Sequence, residues 1–499
     1  MPVVIAIDAG TTGVRALAVG LDGEIVDVSY RELTQYFPAP GLVEHDAAEI
    51  WTLVEATLTD LCSRLEAGDG PTIAAIGITN QRETAVAWDR RSGQPLHRAI
   101  VWQDRRTAGR CEELEAAGHL PLVRQRTGLV LDSYFSATKW EWMLRHGGVE
   151  DRPDLMLGTV DDWICWNLTG GRRGGLHATD ASNASRTLCY DIADRSWSLE
   201  LCELFGIPPH ALGEVHPSSG RFGIVSSEVA GGALGGIPLS GIAGDQQAAL
   251  FGQCCYGTGM TKVTYGTGSF VLMNLGPSCP PPIDGLLTTV AWQLGTVVTY
   301  ALEGAIFSSG ATIQWLRDGL GIIASAQETG PLAASIDCND GVFLVPAFTG
   351  LGSPWWDPDA RATIVGLSRG IGRAHLARAA VEAIAYQTRD VIAVMASGGG
   401  HAMTVLRADG GAAAMDLLLQ LQADQSQVDV VRPRTTEVTA LGVAMLAGLA
   451  EGVWASLDDL ERLSPPEATF APQVSPAKAD RDHASWIAAL ERSRGWAQR

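Results

Sequence analysis

The chain has 499 residues, of which 46% are hydrophobic and 18% charged; this predicts more than one domain with an ample core and excludes a disordered or low-complexity chain. A formal charge of −20 repels nucleic acid and anionic membranes, so any anionic substrate must be held by a local cluster of donors. Nine cysteines with no C-x-x-C spacing predict reduced thiols, and the lack of a basic leader or of a run of roughly 18 apolar residues predicts a soluble, cytoplasmic protein without a membrane segment.

Residues 3–7 (VVIAI) form an apolar run that breaks at Asp8-Ala9-Gly10-Thr11-Thr12-Gly13 and resumes at 14–19, with a further strand at 25–28. The pattern predicts an antiparallel meander opened by a glycine/threonine hairpin, whose amides and hydroxyls suit phosphate oxygens. Asp46 and Glu49 then read as a capping-box-like start, and apolar residues at helical spacing run from Ile50 to Leu65 until Gly68 ends them. Residues 73–79 predict a strand delivering Asn80-Gln81-Arg82-Glu83-Thr84, and Trp102-Gln103-Asp104-Arg105-Arg106 closes another strand-like run. Two polar strand ends side by side are how an open α/β sheet builds a site.

In the stretch 241–252 (GIAGDQQAALFG), Asp245 stands between apolar flanks. Burial there raises a carboxylate's pKa and makes it a better base; the same Asp also suits the N-cap of a helix starting at Gln246, and one residue can do both. Thr264-Tyr265-Gly266-Thr267-Gly268-Ser269 then repeats the first hairpin between two apolar runs. A lone hairpin of this kind is usually only a turn, but two at equivalent places suggest an internal duplication with a nucleotide between the halves. Further on, 303–315 reads as a glycine-rich turn into a helix, 375–395 as a long helix, 404–408 as a strand running into Asp409-Gly410-Gly411, and 438–449 as an apolar helix.

Together, Asp8-Ala9-Gly10-Thr11-Thr12, GITNQRET (77–84), 241–252, Tyr265-Gly266-Thr267-Gly268 and Leu286-Leu287-Thr288-Thr289 strongly resemble the glycerol branch of the FGGY carbohydrate kinase family. YFSATKWEWMLRH (134–146) and the segment 362–382 resemble that family's two signatures. The resemblance implies an α/β chain of two actin-like ATPase (ribonuclease H-like) domains, 1–250 on the polyol side and 251–499 on the nucleotide side, each a mixed sheet flanked by helices. It implies ATP-dependent phosphorylation of glycerol in the cleft, with Mg²⁺, in a homodimer or homotetramer. Carried over by residue, Arg82, Glu83, Tyr134, Asp245 and Gln246 would bond the polyol hydroxyls, Trp102 and Phe270 would pack its carbons, and Asp245 would be the general base. Asp8 would act through Mg²⁺; Thr11, Thr12, Gly13, Arg15 and Thr267 would face phosphates, and Gly310, Gln314, Gly411 and Met415 would surround the nucleotide. Three departures stand out: Gly13 replaces a common Ser, Met415-Asp416 replaces a common Asn, and the loop 231–236 lacks the Arg of fructose-bisphosphate-inhibited relatives. Rival readings are a kinase of another small polyol or ketose, and an actin- or Hsp70-like ATPase that binds protein.

Overall fold

In the computed structural model, which describes residues 2–66 and 70–498, the opening apolar runs form the expected meander: β1 (Val3–Ala9), β2 (Gly13–Gly20) and β3 (Ile25–Glu32) pair antiparallel in sequence. Helix α1 (Ala47–Leu65) is capped by Asp46, whose carboxylate accepts from the Ala48 and Glu49 amides, and it buries Ile50, Val54, Leu58 and Leu61 against β2 and β3. Each such side chain contributes about 1.5–3 kcal/mol of burial. Gly68, expected to stop this helix, lies outside the described residues. Strand β4 (Ile73–Asn80) lies parallel to β1; β5 (Ser219–Ile224) and β6 (Pro238–Gly244) follow, and β6 lies parallel to β4 before the chain enters α2 (Asp245–Gly252).

The second half repeats this plan. β7 (Met260–Tyr265) and β8 (Ser269–Gly276) form the second hairpin, followed by β9 (Leu287–Leu294) and β10 (Val297–Ile306). Helices α3 (Gly310–Asp318) and α4 (Arg373–Gly399) precede β11 (Val405–Asp409), α5 (Asp416–Ser426), β12 (Val430–Pro433), α6 (Val438–Ala450) and β13 (Pro466–Phe470). The strand order β3-β2-β1-β4-β6 of the first half recurs as β10-β8-β7-β11-β12, with the same antiparallel and parallel pairings. These thirteen strands form one continuous sheet, yet the halves join through β5 and β9 at the single pair Ser219↔Leu294. Helix α6 crosses the divide: late in the chain, it packs on α2, β4 and β6 and buries Leu441, Ala444 and Met445 with Val4 and Leu17 of the first half.

Glu303 does not sit in a turn before a helix; it is the seventh residue of β10, fully buried, and only the part from Gly310 onward is helical.

Candidate active site

Register places the chemistry. Asp8 of β1 lies beside Thr79 of β4, which lies beside Ala243 of β6, so the chain leaves all three parallel strands at one level with Asp8, Arg82-Glu83 and Asp245 at their ends. In the second half Thr264 lies beside Asp409, bringing the Tyr265 hairpin level with Gly410-Gly411.

Arg82 is at the centre of the first group. It is 2% exposed; its Nη1 donates to Glu303 Oε2 at 2.5 Å, its Nη2 donates to the Tyr134 hydroxyl at 3.3 Å, and its Nε lies 3.3 Å from Asp245 Oδ1. A second buried guanidinium, Arg186, donates to Glu83 at 2.7 Å and to Glu303 at 2.8 Å. Neither Glu303 nor Arg186 is evident as a site residue in the sequence. The usable signal was a charge inside an apolar run, Leu302-Glu303-Gly304-Ala305-Ile306, because a charge buried in a strand demands a buried counter-charge.

The three carboxylates respond differently to this shared environment. Burial disfavours the ionised form of Glu303, but Arg186 and Arg82 outweigh it and hold its pKa at about 2. For Glu83 burial wins over the same two guanidiniums, and its pKa rises. Burial also raises Asp245, against the pull of Arg82 and Lys262. Asp245, whose side chain is 34% exposed, is therefore the carboxylate both open to a reactant and poised to take a proton. It is the first residue of α2 and not its N-cap, which is Gly244; its Oδ1 accepts the Gln246 amide at 2.7 Å.

Glu83 itself has φ 61°, a left-handed conformation that costs a non-glycine residue about 1–3 kcal/mol. The strain is held by a polar buttress built largely on 179–185, with Asp161 accepting from the Asn80 amide at 3.3 Å. Asn80 and Asn183 exchange amide hydrogen bonds at 3.1 Å, the Gly244 amide donates to Ser182 at 3.0 Å, and Asp180 accepts from Ser182, Asn183 and Ser218. This network fixes the strand ends that carry Arg82 and Asp245.

Two cavities flank the Tyr265 hairpin, and Gly266 and Thr267 line both. The first, of about 710 Å³, is lined by Trp102, Tyr134, Gln246 and Phe270 of the expected substrate residues, with Glu303 added; Arg82 and Glu83 lie just behind its wall. Trp102 meets Tyr134 edge to face at 5.5 Å, and its indole N–H donates to Thr11 at 2.9 Å, so it touches the first hairpin as well as the cavity. The second cavity, of about 740 Å³, is lined by Thr267, Gly310, Gln314, Gly411 and Met415, all expected around the nucleotide. Gly310 is needed there: a Cβ would lie 2.6 Å from the Gly266 carbonyl.

Thr11, Thr12, Gly13 and Arg15 line neither cavity, and Arg15 closes on Glu437 at 2.8 Å. Gly13 is explained by packing: a Cβ there would lie 2.5 Å from the Tyr30 ring and 2.6 Å from the Arg31 carbonyl, so a serine has no room without a shift. Asp416 is paired with Arg432 at 2.8 Å, while Met415 packs against Gly330. The loop 231–236 carries no basic residue of its own; alongside it Arg173 closes on Glu228.

Asp8, which like the first hairpin lines neither cavity, has its pKa raised to about 7, chiefly by burial, with Arg15 opposing and Asp245 and Glu437 adding to the rise. Among the described residues no three His, Cys, Asp or Glu side chains gather closely enough to cage an ion. A hard cation that draws most of its ligands from phosphate oxygens and water, and one carboxylate from the protein, fits such a site.

The family description "FGGY family of carbohydrate kinases" matches residues 3–252 with its N-terminal domain and 261–451 with its C-terminal domain. The chain belongs to this family. Among similar proteins, glycerol kinase of Dechloromonas aromatica is 51% identical over 498 residues, covering 99% of this chain and 98% of the relative. Glycerol kinase of Trichlorobacter lovleyi is 52% identical over 504 residues, covering 100% of both. The crystal structure of Plasmodium falciparum glycerol kinase with ADP superposes on this FGGY kinase with a TM-score of 0.95 at 33% identity, covering 99% of this chain and 98% of the other. The two-domain actin-like fold expected for this FGGY kinase is thus the observed one. Among the described residues no helix is long and apolar enough to cross a membrane, and all nine cysteines are free.

Proposed function

We propose that this FGGY kinase transfers the γ-phosphoryl group of ATP to a terminal hydroxyl of glycerol, giving sn-glycerol 3-phosphate and ADP. The observation that carries the reading is the pair of cavities sharing the Gly266-Thr267 hairpin, one walled by polar groups around Arg82, the other glycine-rich. A small triol offers three hydroxyls and little carbon, so selectivity comes from fixed charged partners left unpaired by a deoxy analogue. We assign the first half, 1–250, to the polyol and phosphate side and the second, 251–499, to the nucleotide side, with Phe270 of the second half reaching the polyol cavity.

Asp245 takes the proton of the attacking hydroxyl as its oxygen bonds to the γ-phosphorus and the bridging oxygen leaves with ADP. Arg82 and Tyr134 orient the polyol, and Trp102 and Phe270 cover its carbons. Thr267 and the hairpin amides hold phosphate oxygens, and Arg15 reaches them by exchanging Glu437 for phosphate. Asp8 would hold Mg²⁺, which neutralises charge on the phosphates when bound. Little covalent chemistry is asked of the protein, so positioning and exclusion of water supply most of the rate.

A coupled ADP-release assay over glycerol, erythritol, xylulose and other ketoses tests the reading. Glycerol is expected to give the highest kcat/KM; a ketose leading the panel, or ATP hydrolysis indifferent to every polyol, overturns it. Asp245→Asn is expected to lower kcat by about 10²–10⁴ with glycerol binding retained, and more than roughly a tenth of wild-type kcat would remove Asp245 from the role of base. Light scattering reads the expected homodimer or homotetramer directly.

A further inference from the structure

Lys262 is the one lysine of β7 and is wholly buried at the middle of that strand, between Leu272 of β8 and Arg407 of β11. Its Nζ reaches out of the second half to α2 of the first, donating to Gln246 Oε1 at 2.5 Å, and also donates to Thr264 Oγ1 at 2.7 Å, two residues on along the same face of the strand. No carboxylate lies within ion-pairing distance of Nζ among the described residues. A buried ammonium satisfied by two neutral oxygens is expensive, so its presence calls for a reason.

The reason lies in donor and acceptor roles. An ammonium has only donors, so the Gln246 atom that meets it must be the amide oxygen, and the assignment of O and N in this carboxamide follows from chemistry. The NH₂ end is then turned away from Lys262. It makes no hydrogen bond to any described residue, and Gln246, which follows Asp245 in the chain, lines the substrate cavity.

We propose that Lys262 is a positioning residue, lent by the nucleotide half to the polyol half, that locks Gln246 with its NH₂ toward the cavity so that Gln246 donates to a substrate hydroxyl oxygen. The inference rests on the function proposed above and deepens it. A hydroxyl lying between the two side chains gives its hydrogen to Asp245 while accepting one from Gln246, which a carbonyl oxygen, having no hydrogen to give, cannot do. Were the amide free to flip, its oxygen would compete with Asp245 for the same hydrogen. Burial pushes the Lys262 pKa down, and the carboxylates of Asp409, Asp245 and Glu303 push it back, against Arg82.

The test is a double-mutant cycle in the ADP-release assay, run once wild-type turnover of glycerol is established; absence of that turnover sinks the proposed function, whereas the outcomes below bear on Lys262 alone. Lys262→Met is expected to raise KM for glycerol roughly tenfold, at a level of one lost charge-assisted hydrogen bond, with KM for ATP changed less than about twofold. In the Gln246→Ala background the same substitution is expected to change glycerol KM less than about twofold. An equal rise in both backgrounds, or no rise in either, overturns the proposal. If Lys262→Met does not fold, Gln246→Glu decides: it gives Lys262 an ionic partner and keeps the fold, but replaces the donor facing the cavity by an acceptor. Glycerol KM should again rise about tenfold or more, and an unchanged KM overturns the donor role.

Discussion

Replacing Glu303 by Gln isolates what the buried charge cluster does. The carboxylate makes contacts of 2.5 and 3.3 Å with Arg82 and 2.8 Å with Arg186, and these three side chains are 0–2% exposed. With every group ionised, Arg82 and Arg186 face Glu83, Glu303 and Asp245, so the wild-type cluster has carboxylates to spare and the raised pKa values of Glu83 and Asp245 absorb the excess. The amide keeps one acceptor oxygen but turns an NH₂ against two guanidiniums. Breaking a buried pair costs about 3–5 kcal/mol; some of that is recovered because Glu83, relieved of a like charge, ionises more readily, so a loss of about 2–3 kcal/mol is expected in urea or guanidinium unfolding. Glu303 has its pKa lowered from 4.5 to about 2, so its contribution is present above about pH 4.5 and lost as pH falls toward 2. The titration of Glu303 itself therefore adds no pH dependence to the difference between wild type and variant across neutral pH. Arg82, no longer clamped from below, should also orient the polyol less well, raising KM for glycerol with little change for ATP. A stability loss under about 0.5 kcal/mol with an unchanged glycerol KM would refute the view that Glu303 fixes Arg82.

Two other perturbations read the nucleotide side. Asp8 has its pKa raised from 3.8 to about 7, so in the ligand-free protein its contribution to stability is complete below about pH 3.8 and is lost as pH rises through about 7; because a cation needs the carboxylate, the rise in Tm on adding Mg²⁺ and ATP should grow between about pH 6 and about pH 8. Asp8→Asn should flatten that growth, and a wild-type shift independent of pH would detach Asp8 from the metal. Met415→Asn should lower KM for ATP several-fold with kcat little changed, because a thioether offers no amide pair to a base, one hydrogen bond is worth about 1 kcal/mol, and Asp416 is occupied by Arg432. An unchanged or higher KM would mean that the backbone near Gly411 already supplies the contact.

What the sequence made legible was local: a hairpin needs its glycines and threonines consecutively, and Asp8, Tyr265 and Gly410 could be placed at strand ends because the strand, the break and the next element are adjacent in the chain. The duplicated strand order follows from the two hairpins for the same reason. What it left hidden was long-range. Arg82 and Glu303 are 221 residues apart, Arg186 and Glu83 are 103 apart, and Arg15 meets Glu437 across 422 residues, so no periodicity or spacing connects them. Helix α6 read correctly as an apolar helix, yet its place on the first half's sheet depends on a return of the chain that composition does not encode. Gly13 shows the limit from the other side. Seen in the sequence, it is a missing hydroxyl near the phosphates; seen in the fold, it is the space taken by Tyr30 and the Arg31 carbonyl, so restoring serine alone would force the meander apart before it could restore a phosphate contact.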